Sequence, residues 1–233
     1  MKNILLIPGL LNTGALFSGQ VNELSPYFNF TIADHTKFET ISQIAQDILE
    51  NQAPDEFVLG GLSMGGYIAM EIMRQAPQRV KGLMLMNTSA RRDTPEQTAR
   101  RRSIIKISQE GRFNGVSAQL LPSLVHEQSV SDPLIANVIF DMAQEIGRDG
   151  FIRQQQAIIN RIDSRGSLPN ITCPACVVVG DSDKLTPPDV AREMAQLLPA
   201  AQLHIIEKCG HLSPLEHAGE ISEIIAGFMM RCR

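Results

Sequence analysis

Six short apolar runs, set between longer segments of helical period, restrict this chain to very few architectures. The runs are ILLIP at 4–8, FNFTIA at 28–33, EFVLG at 56–60, KGLMLMN at 81–87, CVVVG at 176–180 and QLHII at 202–206. Most are continuously apolar rather than alternating, which is the pattern of strands covered by helices on both faces. Between them, residues 14–24, 39–50, 63–76, 188–198 and 214–230 read as helices. In the last of these, Leu215, Ala218, Ile221, Ile224, Ile225 and Phe228 form one stripe at helical spacing that reads as core packing. Strand and helix in alternation predict an α/β fold built on a parallel sheet of about six strands.

The alternation stops between the fourth and fifth runs. Roughly eighty residues, from Thr88 to Leu168, hold no convincing strand and are rich in Arg, Gln and Ser. A structureless loop of that length is out of place in a compact domain, so the segment is expected to be helical. The expected organisation is a core of residues 1–88 and 169–233, with residues 89–168 inserted as a helical cap over the end of the sheet. A chain of 233 residues, 43% apolar and 20% charged, is ordinary for one α/β domain.

A formal net charge of −4 and the absence of tryptophan give no footing for nucleic acid or a membrane surface. The start, MKNILLIPGL, has one lysine and a four-residue apolar run, too short for a leader or a span, so a cytoplasmic protein is expected. The expected partner is a small-molecule substrate, and nothing in the chain indicates an oligomeric state. Cys173 and Cys176 have C-x-x-C spacing but run into a strand instead of a helix start, so they read as small residues at a strand entry. No second ligand pair at zinc-finger spacing accompanies them, and no metal is expected.

Residues 59–70, LGGLSMGGYIAM, crowd four glycines around one serine. A strand ends and a helix begins there, and Gly61-Leu62-Ser63-Met64-Gly65 satisfies G-x-S-x-G, a turn that lifts a serine hydroxyl out of strained backbone. Glycine at both ends lets strand and helix approach without Cβ clashes. There is no lysine for a phosphate-binding loop, and the glycine spacing is wrong for a dinucleotide site.

A serine hydroxyl needs a base, and the base needs an orienting acid. His211, in the loop after the last strand, is placed for the first role, whereas His35, His126, His204 and His217 fit less well. Asp181 and Asp183 both lie in the loop after the fifth strand, and either could hold the imidazole. The order Ser, Asp, His is the one this architecture requires. Backbone N–H groups of Met64 and of Leu10, with Leu11 as the alternative to Leu10, are the expected oxyanion donors.

With these features in place the sequence resembles the α/β-hydrolase superfamily over nearly its whole length. LLIPGLLNTG is similar to that family's oxyanion segment, with Pro8 where histidine is common. GGLSMGG is similar to its nucleophile turn, VVVGDSDKLTPP to its acid loop and CGHLSPLEH to its histidine segment. By the acid-loop pattern, Gly180 places the acid at Asp183. The motif common after the second strand, D-x-x-G-H-G-x-S, is replaced by ADHTKFETIS. The resemblance implies a cofactor-free serine hydrolase acting on a small ester, thioester or lactone. Hydrolytic C–C cleavage or lyase chemistry on the same triad, and a ligand receptor on the same fold, are the competing readings.

The cap opens on a basic stretch in which Arg91, Arg92, Arg100, Arg101, Arg102, Lys106 and Arg112 outnumber Asp93, Glu96 and Glu110. Most of these cations read as a solvated helix face. Arg91 and Arg92 follow a strand end and are the candidate substrate-binding pair, suited to a carboxylate.

Overall fold

A computed structural model describes residues 1–111, 113 and 115–232; Arg112 of the basic stretch lies outside the described residues. The strands are β1 (Lys2–Ile7), β2 (Phe28–Ile32), β3 (Phe57–Leu62), β4 (Val80–Met86), β5 (Ala175–Gly180) and β6 (Ala201–Ile206). They form one sheet in the order β2-β1-β3-β4-β5-β6, and every pairing is parallel. Because β1 and β3 are neighbours with β2 outside them, the loops after β1 and β3 diverge, and the crevice between them is where such sheets bind ligands.

The core helices are α1 (Ser18–Leu24), α2 (Ile41–Asn51), α3 (Met64–Gln75) and α7 (Pro188–Leu197), with α8 (Ser213–Glu216) and α9 (Ala218–Met229) closing the chain. Residues 214–230 were expected to form one helix. The backbone breaks at His217 (φ −131°, ψ 53°), so that α9 starts afresh and lies against α1.

Side chains alternate across the sheet as strand geometry requires. Leu5, Ile7, Leu59, Leu83, Leu85, Val177 and Val179 pack with α2, α3 and α7 on one face. Ile4, Leu6, Val58, Met84, Met86 and Val178 pack with α1 and α9 on the other. Fully burying each such side chain stabilises the fold by about 1.5–3 kcal/mol. Cys176 is buried in this second layer, where burial pushes its thiol up to about 12.

Between β4 and β5 the chain forms α4 (Pro95–Glu110), α5 (Leu121–Leu124) and α6 (Pro133–Ile159). Thr94 caps α4 reciprocally with Gln97, and α6 is interrupted at Gly147, whose φ of 67° few other residues adopt. Among the described residues, no helix is long and apolar enough to cross a membrane.

Candidate active site

Ser63 stands between β3 and α3 with φ 55° and ψ −114°, a strained conformation for a residue with a side chain. The glycines around it answer to contacts rather than to flexibility. A Cβ on Gly61 would run into the Gly65 backbone, and one on Gly65 into the carbonyl of Ile7 at the end of β1. The Ser63 carbonyl accepts from Thr88 Oγ1 at 2.7 Å, and its N–H donates to Met86 at 3.0 Å, which ties the turn to the end of β4.

His211 and Asp183 are buried on the loops after β6 and β5, with Nδ1 of His211 at 2.8 Å from Oδ2 of Asp183. The same oxygen accepts from Thr186 Oγ1 at 2.7 Å and Asn87 Nδ2 at 2.9 Å, while Oδ1 accepts the N–H groups of Leu185 and Thr186 at 2.9 and 3.0 Å. Burial alone would raise the Asp183 pKa; the His211 charge and this set of donors overcome it and hold the carboxyl at about 2. An ionised carboxylate only accepts, so Nδ1 of His211 carries a proton, and in the neutral ring Nε2 presents its lone pair. Asp181, by contrast, is exposed and engages Ser182 and the N–H of Cys209. Among the described residues no hydrogen bond joins the Ser63 hydroxyl to the imidazole; such contacts commonly tighten only when substrate is seated.

Asn87, Thr186 and Ser213 were not expected from the sequence. Asn87 (φ 44°) sits at the end of β4 and donates to both Asp183 and the Gly210 carbonyl, the latter at 3.1 Å. Its oxygen accepts from the fully buried Ser213 hydroxyl at 2.6 Å, so the amide has one orientation.

The oxyanion candidates separate. The N–H of Leu11 is used internally, donating to Oε1 of Gln154 at 3.1 Å, whereas among the described residues no hydrogen bond takes up the N–H groups of Leu10 and Met64. Met64 begins α3, where the first N–H groups lack intrahelical acceptors and the helix dipole favours negative charge.

The histidine loop is bound to the inserted segment. The His211 N–H donates to the Leu124 carbonyl at 2.8 Å, and Gly210 lies so close to Val125 that a Cβ there would strike its backbone. Glu216 bridges the N–H groups of Gly210 and His126 at 3.0 and 2.6 Å.

Arg91 is directed elsewhere, pairing with Glu193 of α7 at 2.8 Å, and Arg92 is exposed. Arg91 borders a cavity of about 300 Å³ with Tyr67, Ser89 and Arg161, which none of Ser63, Asp183 and His211 lines. There Arg161 lies over the Tyr67 ring and shares buried Asp93 with Arg101. Among the described residues, no group of three His, Cys, Asp or Glu could hold a metal ion.

A parallel sheet with a strained serine turn and a buried acid–histidine pair at its carboxyl edge defines the hydrolases of the α/β class. The chain belongs to the alpha/beta hydrolase fold family, whose pattern it matches over residues 2–218. It is 26% identical over 218 residues to a 2-hydroxy-6-oxononadienedioate/2-hydroxy-6-oxononatrienedioate hydrolase of a Pseudomonas species, covering 89% of this chain and 75% of that protein. To a pimeloyl-[acyl-carrier protein] methyl ester esterase of Vibrio vulnificus it is 25% identical, covering 90% and 87%. A solved esterase from Thermogutta terrifontis superposes with a TM-score of 0.89 at 28% identity, covering 99% of this chain and 90% of that one. The protein is a hydrolase of this fold.

Proposed function

We infer that the protein is a serine hydrolase that cleaves a small carboxylic ester, thioester or lactone through an acyl-enzyme. The observation that carries this reading is the buried Asp183–His211 pair, in which the carboxylate claims the Nδ1 proton, so that Nε2 of the neutral ring is the nitrogen free to act as base toward Ser63. Ser63 Oγ attacks the carbonyl carbon as Nε2 takes its proton, and the N–H groups of Leu10 and Met64 receive the developing oxyanion. The imidazolium returns the proton to the leaving group, and water releases the acyl group by the same steps in reverse roles. Asp183 orients the ring and stabilises its charged form. These steps call on no metal or cofactor. Residues 89–168 act as the cap that covers this chemistry, and Leu124 and Val125 within it touch the histidine loop.

The esterase relatives favour ester chemistry; the 2-hydroxy-6-oxononadienedioate hydrolase supports a second reading, hydrolytic C–C cleavage on the same residues. The test is purified protein against a panel of aryl esters, lactones and diketones, with an organophosphonate as probe. Turnover of esters, phosphonate on Ser63 alone and an inert Ser63→Ala variant are expected. Label on Ser89 or Ser213, or an active Ser63→Ala, would overturn the assignment.

A further inference from the structure

Among the described residues no hydrogen bond joins the fully buried Gln154, on α6 of the inserted segment, to Ser63, Asp183 or His211, yet its amide oxygen is spent on the loop after β1. In that loop the N–H of Asn12 donates to the Gly9 carbonyl at 3.1 Å, which makes Leu10 and Leu11 the central pair of a tight turn. Leu11 has φ 59°, a position where turns ordinarily carry glycine. The peptide joining Leu10 to Leu11 is the one that turns over when such a turn changes type, so something outside the turn must hold it. Gln154 Oε1 does so by accepting the Leu11 N–H at 3.1 Å.

The orientation of that amide is fixed, because a backbone N–H can only donate. The Gln154 NH₂ therefore faces Nε2 of His35, 3.0 Å away, and the same ring nitrogen lies 3.0 Å from the Gly9 carbonyl. Phe151, one turn earlier on α6, packs against Leu11, and Arg153 Nε donates to the Thr36 carbonyl at 2.7 Å. One stretch of α6 thus grips the loops after both β1 and β2. A buried glutamine is destabilising unless its amide is bonded, and here Oε1 is bonded to the loop that holds Leu10 while the NH₂ lies against His35 in the loop after β2.

We propose that Gln154 is a positioning residue for the oxyanion hole: by holding the Leu11 N–H it removes that group as a donor, pins the Leu10–Leu11 peptide and leaves the Leu10 N–H aimed at the substrate oxygen. This rests on the serine-hydrolase reading, since only that chemistry needs a hole at Leu10 and Met64. The inserted segment then supplies part of the catalytic alignment as well as a cover.

The experiment compares Gln154→Met and Gln154→Asn, which remove or withdraw the acceptor, with Gln154→Glu, which keeps an oxygen in reach of Leu11. Active sites are counted by phosphonate titration, so unfolded protein does not enter kcat. Met and Asn should each lower kcat by about tenfold to a hundredfold, with KM within about twofold, since losing a donor outright costs about 10²–10³ and misaiming one costs less. Affinity for an arylboronic acid, which bonds the serine and places an oxygen in the hole, should fall by the same factor. Gln154→Glu should recover kcat to within about threefold of wild type. If Gln154→Met does not fold, Gln154→Asn and Gln154→Glu decide. Wild-type kcat in the Asn variant, a loss of kcat with unchanged boronate affinity, or a Glu variant as poor as Met would each overturn the proposal. Phosphonate that labels Ser63 while Gln154 variants are indifferent sinks only this inference; no label on Ser63 sinks the underlying reading and this one with it.

Discussion

Replacing Asp183 by Asn separates a carboxylate's charge from its shape, and the surrounding donors dictate how the new side chain must sit. Oδ1 receives two backbone N–H groups, and Oδ2 receives His211, Thr186 and Asn87. An NH₂ in the Oδ1 place would face two groups that can only donate. In the Oδ2 place it faces one such group, Asn87 Nδ2, whose orientation Gly210 and Ser213 fix, while the Thr186 hydroxyl can turn to accept. Each opposed buried donor costs about 1–3 kcal/mol, so the NH₂ takes the Oδ2 place. It then donates to Nδ1 of His211, the ring proton moves to Nε2, and the base is gone. The expected loss in kcat is about 10³–10⁴, or about 4–5.5 kcal/mol in the barrier, with KM within about threefold. Ester hydrolysis per titrated site gives the rate, and ¹⁵N NMR of the imidazole gives the tautomer. A variant within about tenfold of wild type, or one whose ring keeps its proton on Nδ1, would refute the reasoning. Asp181→Asn should leave kcat near wild type.

Ser63→Gly should be inactive yet more stable by about 1 kcal/mol, raising Tm by a few degrees, because glycine adopts the serine's positive φ without strain; an unchanged or lower Tm would mean that the turn holds no strain. Asp183 is depressed from 3.8 to about 2, so it stabilises the folded state above about pH 4, and that contribution is lost as pH falls through about 2. Thermal melts from pH 5 to 2 should show this slope in wild type and not in Asp183→Asn. Arg91→Ala should change kcat/KM equally for a neutral ester and its ω-carboxylate analogue, since the guanidinium is held by Glu193; a loss confined to the anionic ester would place Arg91 in the pocket.

The strands were legible because burial on both faces leaves nothing but apolar residues, and each of the six runs lies within about two residues of its observed strand. The Ser63 turn and the pairing of Asp183 with His211 were legible because each of the three residues follows a strand end with a glycine close by. The support around them was not. Asn87 terminates an apolar run like any polar residue leaving a sheet, and its two donated bonds depend on loops 96 and 123 residues away. Gln154 lies in a run of three glutamines that reads as a solvated face, although it is fully buried. What distinguishes Leu10 from Leu11 also lies in that side chain, since among the described residues the partner of the Leu11 N–H is 143 residues distant. Such contacts have no period or spacing to betray them.

The bridge made by Glu216, together with the bond from the His211 N–H to Leu124, has a bearing on engineering. Lids are natural units to exchange between related enzymes when new specificity is sought. In this chain a graft cut at the two ends of the insertion would strip the histidine loop of its acceptor at Leu124 and leave Glu216 facing a stranger's backbone. The transferable module therefore includes residues 208–216 along with the lid. Under the function proposed above, a chimera that keeps the two together is expected to hold His211 in register, and one that parts them is expected to lose hydrolase activity.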